Sequence, residues 1–266
     1  MLLNFLPARC QQQILIGAHP VPVLLFRALR RRLKPRSRLR SLFAPRVPPP
    51  VKLGIASQFS PGDWVRVSDR DRIRATLDSR DRFRGLWFAE QQWSYCGTVL
   101  RVTKVVRRIQ DDSGRMRPVS RTVLVDQACC GGVIGGSGCG RDCPLMFRDE
   151  WLEPAEAPSS TSIIEPECRT ATVRSELELQ ASLDRFGRRS GLLFMPEMAR
   201  HAGHTFRIHR KIELVYELGR SLPTALPVFL LDGLFCSGEI IGEEGPCHRG
   251  CRLLWHRDWL DFSQEP

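Results

Sequence analysis

Apolar and polar residues alternate through TVLRVTKVV (98–106) and again through TFRIHRKIELV (205–215), a period-two pattern that predicts two half-buried β-strands. Each is followed by a second apolar stretch, RTVLV (121–125) and PVFLL (227–231). Turn-forming residues stand between them, at Asp112-Ser113-Gly114 and Gly219-Arg220-Ser221, so each pair reads as a hairpin. FSPGDWVRV (59–67) reads as a turn running into a further alternating strand. EPECRTATV (165–173), ahead of the second hairpin, keeps no intact counterpart of it. Helical signals are brief. SDRD (68–71) and SELE (175–178) are Ser-x-x-acid starts for short helices that end near a shared Leu-Asp. Leu177, Leu179 and Leu183 give the second of these only a rough apolar face. MPEMARH (195–201) predicts another short helix, with Pro196 in the first turn, where its missing N–H is no loss.

These elements recur at a fixed distance. GLWFAEQQWSYCGTVLRV (85–102) aligns with GLLFMPEMARHAGHTFRI (191–208) at an offset of 106, matching Gly85 to Gly191, Phe88 to Phe194, Gly97 to Gly203 and Arg101 to Arg207. The same offset matches Leu124 to Leu230, Asp126 to Asp232 and Cys130 to Cys236. Beyond Cys130 it becomes 108, and matches Cys139 to Cys247, Cys143 to Cys251 and Trp151 to Trp259. A register that is recovered after one two-residue insertion marks an internal duplication. EPAEAPSSTSIIEPE (153–167) has linker composition. The expected organisation is an arm (1–58), a first repeat domain (59–155), a linker (156–168) and a second repeat domain (169–262). The expected fold class is α+β or mainly β: two tandem copies of a small domain with short helices and a cysteine-rich loop. Each copy alone has a small core, so the copies are expected to pair within the chain about a pseudo-two-fold.

Charge changes the picture only at one end. The chain of 266 residues has a formal net charge of +11, but residues 1–62 hold eleven Lys and Arg and no Asp or Glu. The remaining 29 basic residues balance the 29 acidic ones. The repeats are therefore electroneutral, and the basic excess is an N-terminal arm suited to a polyanion, nucleic acid or an acidic membrane. Its longest mainly apolar run, Ile14 to Phe26, is short and interrupted by Pro20 and Pro22, so it does not read as a span. Its Arg cluster follows the apolar run, where a secretory signal would carry basic residues before it. Cytoplasmic location is the resulting expectation, with a transit-like or mis-started extension as the alternative.

In a reducing compartment, ten cysteines point to metal ligands or buried thiols more than to disulfides. Three columns are cysteine in both copies: Cys130/Cys236, Cys139/Cys247 and Cys143/Cys251. Cys96 completes a four-thiolate set in the first copy, spaced C-x33-C-x8-C-x3-C, which matches the donor count of structural zinc. In the second copy Ala202 replaces Cys96, and His204, two residues on, is the substitute ligand expected there. The glycines of GGVIGGSGCG (131–140) then serve the positive-φ turns of a ligated loop, since no Walker-type Lys-Ser/Thr follows. Asp126 and Asp232 read as turn or cap residues, His209 has no nucleophile placed beside it by any motif, and Trp151 and Trp259 read as core.

The ordered set C-G-x-x-x-R-V, R-T-V-L, C-G and G-C-x-x-x-C-P-L-x-F-R-x-x-W-L (96–152) resembles a family of small, uncharacterised, cysteine-containing bacterial proteins. That resemblance implies that the Cys, Arg101 and Trp151 columns characterise the fold, and it supplies no catalytic residue. FSPGDWVRV and CGTVLRVTKVV also resemble strands of SH3-like small barrels, including the KOW and nitrile-hydratase β-subunit kinds. The expected function is a non-catalytic tandem binding or scaffolding module with a protein partner and structural zinc in the first copy. The alternatives are a metal- or thiol-dependent redox enzyme, and polyanion binding through the arm.

Overall fold

In the computed structural model the residues described are 52–110, 116–132, 139–158, 169–217, 220–239 and 246–263. The arm up to residue 51, the Asp112-Ser113-Gly114 turn, most of the glycine run (133–138) and most of the linker lie outside them. The chain is mostly β, with several antiparallel sheets and short helices.

The first half runs β1 (Trp64–Val67), α1 (Arg70–Thr76), β2 (Arg82–Phe83), β3 (Leu86–Trp87), a 3-10 turn (Glu90–Tyr95), β4 (Val99–Gln110), β5 (Met116–Cys129), β6 (Pro144–Arg148), a second 3-10 turn (Asp149–Trp151) and β7 (Leu152–Pro154). The second half repeats that order as β8 (Thr170–Val173), α2 (Glu176–Ser182), β9 (Arg188–Arg189), β10 (Leu192–Leu193), a 3-10 turn (Pro196–His201) where a short helix was expected, β11 (Thr205–Glu217), β12 (Arg220–Leu231), β13 (Trp255–His256), a 3-10 turn (Arg257–Trp259) and β14 (Leu260–Phe262). Five strands of each half form one antiparallel sheet, ordered β6-β5-β4-β1-β7 and β13-β12-β11-β8-β14. Register repeats as well: Arg66 pairs with Val99 and Thr172 with Thr205, the same two columns. So do the irregularities, which fall between Val102 and Lys104 and between Ile208 and Arg210, and again between Val106 and Arg108 and between Ile212 and Leu214.

Two local readings of the sequence are corrected. The strand judged missing from the second copy is present as β8, where Ala171 and Val173 bury the faces that Val65 and Val67 bury in β1. A four-residue strand can be made by Thr-Ala-Thr-Val because β11 and β14 pair with it on both sides, which supplies what its weak apolar pattern lacks. The first helix is capped by Asp69, whose side chain accepts from Arg72 N–H, and not by Ser68. Asp69 is the column of Ser175, which caps α2 with Glu178 in a reciprocal capping box. Ser68 is instead buried at the end of β1, its N–H donating to the Trp151 carbonyl.

Each half has its own core, centred on a fully buried tryptophan, Trp151 or Trp259. The Trp151 indole N–H donates to Thr76 Oγ1 at 2.9 Å, and the Trp259 indole to Ser182 Oγ at 3.1 Å, in the matched column. Both hydroxyls sit in the last turn of the short helix, so the same bond pins each helix over its core while satisfying the one polar atom of the ring. Residues 54–58, which were assigned to the arm, lie against the first half: Gly54 N–H donates to Arg107 O, and Gln58 N–H to the Asp149 carboxylate.

The halves also touch each other, and the contacts come in reciprocal pairs. His248 N–H donates to Arg108 O at 3.0 Å, and Gly140 N–H, in the same column, donates to Leu214 O at 2.7 Å. Lys104 Nζ donates to Ser237 O at 2.9 Å, and its match Arg210 reaches Gly131 O at 3.5 Å. In each pair the cysteine loop of one half meets the long hairpin of the other.

Candidate functional site

The cysteine loops begin at the ends of β5 and β12. Cys130 N–H donates to Cys143 O at 2.9 Å, and Cys236 N–H to Cys251 O at 2.7 Å, so both loops close on the same two columns. Gly132 and Gly238 adopt φ of +83° and +82°, and a Cβ on either would meet the carbonyl oxygen of Cys139 or Cys247 at 2.4 or 1.7 Å. Only glycine fits there. Cys143 N–H also donates to Cys130 Sγ at 3.2 Å. The hydrogen bond from the Cys143 thiol is the largest influence on Cys130; against burial, and with the N–H groups of Gly132 and Cys143, it brings that thiol down to about 6. Cys143, the donor of that bond, is pushed well above its usual value, with burial and the nearby Cys251 thiol adding to the effect. Burial raises Cys129 to about 11, Asp142 adding to the rise and Arg252 opposing it.

Of the sequence-predicted zinc ligands, the structure thus brings Cys130 and Cys143 into contact. Cys96 follows the Glu90–Tyr95 turn, raised by burial and lying near Arg70 and Asp69. Cys139 is buried where the loop closes on Gly132. In the second half Cys247 Sγ accepts from Gln110 N–H at 3.4 Å, Cys251 is buried, and Cys236 is half-buried. His204 bonds to the Ala202 carbonyl beside Phe206, so its ring serves its own turn. Among the described residues, no three His, Cys, Asp or Glu are grouped as a metal ion requires.

Between the halves lies a cleft of about 750 Å³, a size suited to a small organic ligand. Its lining falls into matched columns: Thr103 with His209, Lys104 with Arg210, Cys129 with Phe235, Asp142 with Gly250, and Pro144 with Arg252. Thr103 and His209 sit at the shared irregularity of β4 and β11, where an extra residue redirects a side chain. On the His209 side this creates a charged network. His209 Nε2 lies 2.7 Å from Asp142 and Nδ1 2.9 Å from Asp232. Asp142 also accepts from Gly131 N–H at 3.1 Å and pairs with Arg252 at 3.2 Å. Burial would raise the Asp142 carboxyl, but His209 and Arg252 outweigh it and hold it below its usual value. The Arg252 guanidinium lies over the Phe235 ring, 4.9 Å from its centre.

Sequence reasoning set His209 aside and missed Asp142 and Arg252. Their signal is asymmetry: each stands in a column where the other copy carries Thr103, Gly250 or Pro144, inside an alignment that otherwise holds. Among the described residues His209 bonds to two carboxylates, and Arg252, on the other side of Asp142, also reaches Cys129 Sγ at 3.8 Å. The turn reading is corrected for Asp126, which lies within β5 with its carboxylate accepting Arg101 N–H, while Asp232, in the turn after β12, pairs with Arg207 as well as His209. No helix among the described residues is long and apolar enough to cross a membrane. A scan against protein-family models found no match, and neither did a search of curated proteins.

Proposed function

We propose that this protein is a non-catalytic binding module: two SH3-like small barrels paired within one chain about a pseudo-two-fold axis, with the ligand held in the cleft on that axis. The strand orders β7-β1-β4-β5-β6 and β14-β8-β11-β12-β13, each with a 3-10 turn just before its closing strand, support the barrel reading in each half. Reciprocal bonds from Gly140 and His248 support the pairing. The observation that carries the function is the cleft itself. Its walls come from both halves, and most of its columns change chemical class where most core columns exchange one apolar residue for another.

The test is a fragment screen by NMR on the full chain, using a library of acids, bases and neutral compounds. Hits are expected to shift the amides of Thr103, Leu124, Val125, Phe235 and Ser237, and to be lost in Thr103→Trp, which fills the cleft. Hits scattered over the surface, or untouched by Thr103→Trp, would refute the reading.

The Cys130–Cys143 contact favours a second reading, a thiol-dependent redox protein. The same two thiols are also the part of the expected zinc set that already stands together. Mass spectrometry of the native chain separates these readings. A loss of two hydrogens on mild peroxide treatment, mapped to Cys130 and Cys143, supports redox chemistry. About one bound zinc, released by Cys143→Ser, supports the metal.

A further inference from the structure

We infer that the cleft is an anion site, and that Lys104 and Arg210 form a two-cation clamp across the pseudo-two-fold axis for a small organic acid bearing carboxylate or phosphate oxygens. The inference deepens the binding-module reading and rests on it.

Among the paired cleft columns named above, Lys104/Arg210 is the one that kept its chemistry. Its neighbours changed from Thr to His, Cys to Phe, Asp to Gly and Pro to Arg, while this column remained cationic. Both side chains cross to the opposite half and end on a neutral main-chain oxygen, Lys104 on Ser237 and Arg210 on Gly131. Neither lies within ion-pair distance of a carboxylate among the described residues, although the Arg210 charge also helps to lower the Asp142 carboxyl. One contact each leaves most of their N–H groups unspent, since an ammonium carries three donors and a guanidinium five.

The acids of the cleft are already committed. Asp142 is held by Gly131 N–H, His209 and Arg252, and the Asp126 carboxylate accepts Arg101 N–H. Arg200 adds a fourth cation to the lining, paired with Glu197 at 3.3 Å. The cleft therefore carries an excess of positive charge, with Lys104, Arg200, Arg210 and Arg252 facing Asp126 and Asp142. Its complement is an acceptor-rich anion. Leu124, Val125 and Phe235 supply an apolar wall for the body of such a molecule.

The experiment is calorimetric titration of the full chain with two probes, inorganic phosphate and citrate, at low salt, with amide shifts recorded in parallel. At least one probe is expected to bind saturably with a Kd of about 1 mM or below. Stronger binding of phosphate assigns a phosphate-bearing ligand, and stronger binding of citrate a carboxylate-bearing one. Lys104→Gln and Arg210→Gln each keep a donor for the opposing carbonyl, so the fold is retained. Each is expected to weaken binding at least tenfold, and the double variant to abolish it. Arg185→Gln, an equal change of charge at Arg185, which lies over the Phe186 ring, is expected to change nothing.

No saturable binding of either probe overturns the clamp, as does equal weakening by Arg185→Gln, which would reduce the effect to net charge. Where neutral or basic fragments occupy the cleft and both anions fail, the binding-module reading stands and the anion inference falls. Anions that bind but shift amides elsewhere overturn both.

Discussion

The two halves of this chain share a skeleton and differ in their dressing. Strand order, register, irregularities and the tryptophan–hydroxyl bond recur column by column. The cleft walls do not: one half contributes Asp142, and the other contributes His209 and Arg252. Core columns are constrained by packing on every side, so exchanges there stay mostly apolar. The cleft columns carry no such constraint. The core columns differ too, as at Val123/Phe229 and Phe147/Trp255, but mostly by exchanging one apolar residue for another, whereas most cleft columns change chemical class.

The comparison breaks hardest at the tryptophans. Trp151→Ala and Trp259→Ala are each expected to cost about 3–5 kcal/mol, because each empties a fully buried site and removes the bond that pins the short helix over it. Urea unfolding of the two variants should give similar losses, and a large inequality would mean that one half dominates stability. The loop glycines come next. Gly238→Ala places its Cβ closer to a carbonyl oxygen than Gly132→Ala does, so it should be the worse of two substitutions that each cost about 1–3 kcal/mol. Melting temperatures rank them.

His248→Ala is expected to cost about 1–2 kcal/mol. Its Nδ1 accepts Arg107 N–H at 3.1 Å, the donor freed where β4 departs from register, and the variant leaves that donor unmet. The matching column is Gly140, which has no side chain to offer, so only one of the two reciprocal contacts is sensitive in this way.

The smallest effect is a pH dependence. Burial lowers His256 from its ordinary value of 6.5, and its Nδ1 accepts Asp258 N–H, which requires the neutral ring. The unfolded chain binds that proton more readily, so the stability present above pH 6.5 is lost as pH falls through the lower folded value. His256→Asn, which keeps an acceptor for Asp258, should flatten the fall in melting temperature between pH 7.5 and 5, roughly the range in which histidine titrates. An unchanged slope would assign the dependence to other groups.

The duplication was legible in the sequence because it leaves matched landmarks, and the hairpins because β4, β5, β11 and β12 alternate or carry apolar runs. Strand β8 was not, since its existence depends on two flanking strands and not on its own four residues. The cap at Asp69 was missed because Ser68 offered an equally good local motif one residue away, and tertiary burial of Ser68 decided between them. The cleft was invisible for a related reason. Asp142 and His209 lie 67 residues apart in different copies, and neither has chemistry until the halves meet. Of the thiols, spacing alone did not distinguish the pair that touches, Cys130 and Cys143, from Cys96 and Cys139.

Everything functional here depends on the halves being joined as described. The most direct test is amide hydrogen exchange of the full chain at Gly140 and His248, whose N–H groups donate to Leu214 and Arg108 across the contact. The account predicts that both are protected alike, at the level of the strand amides they meet. Exchange of both at the rate of free loops would contradict the pairing, and with it the cleft.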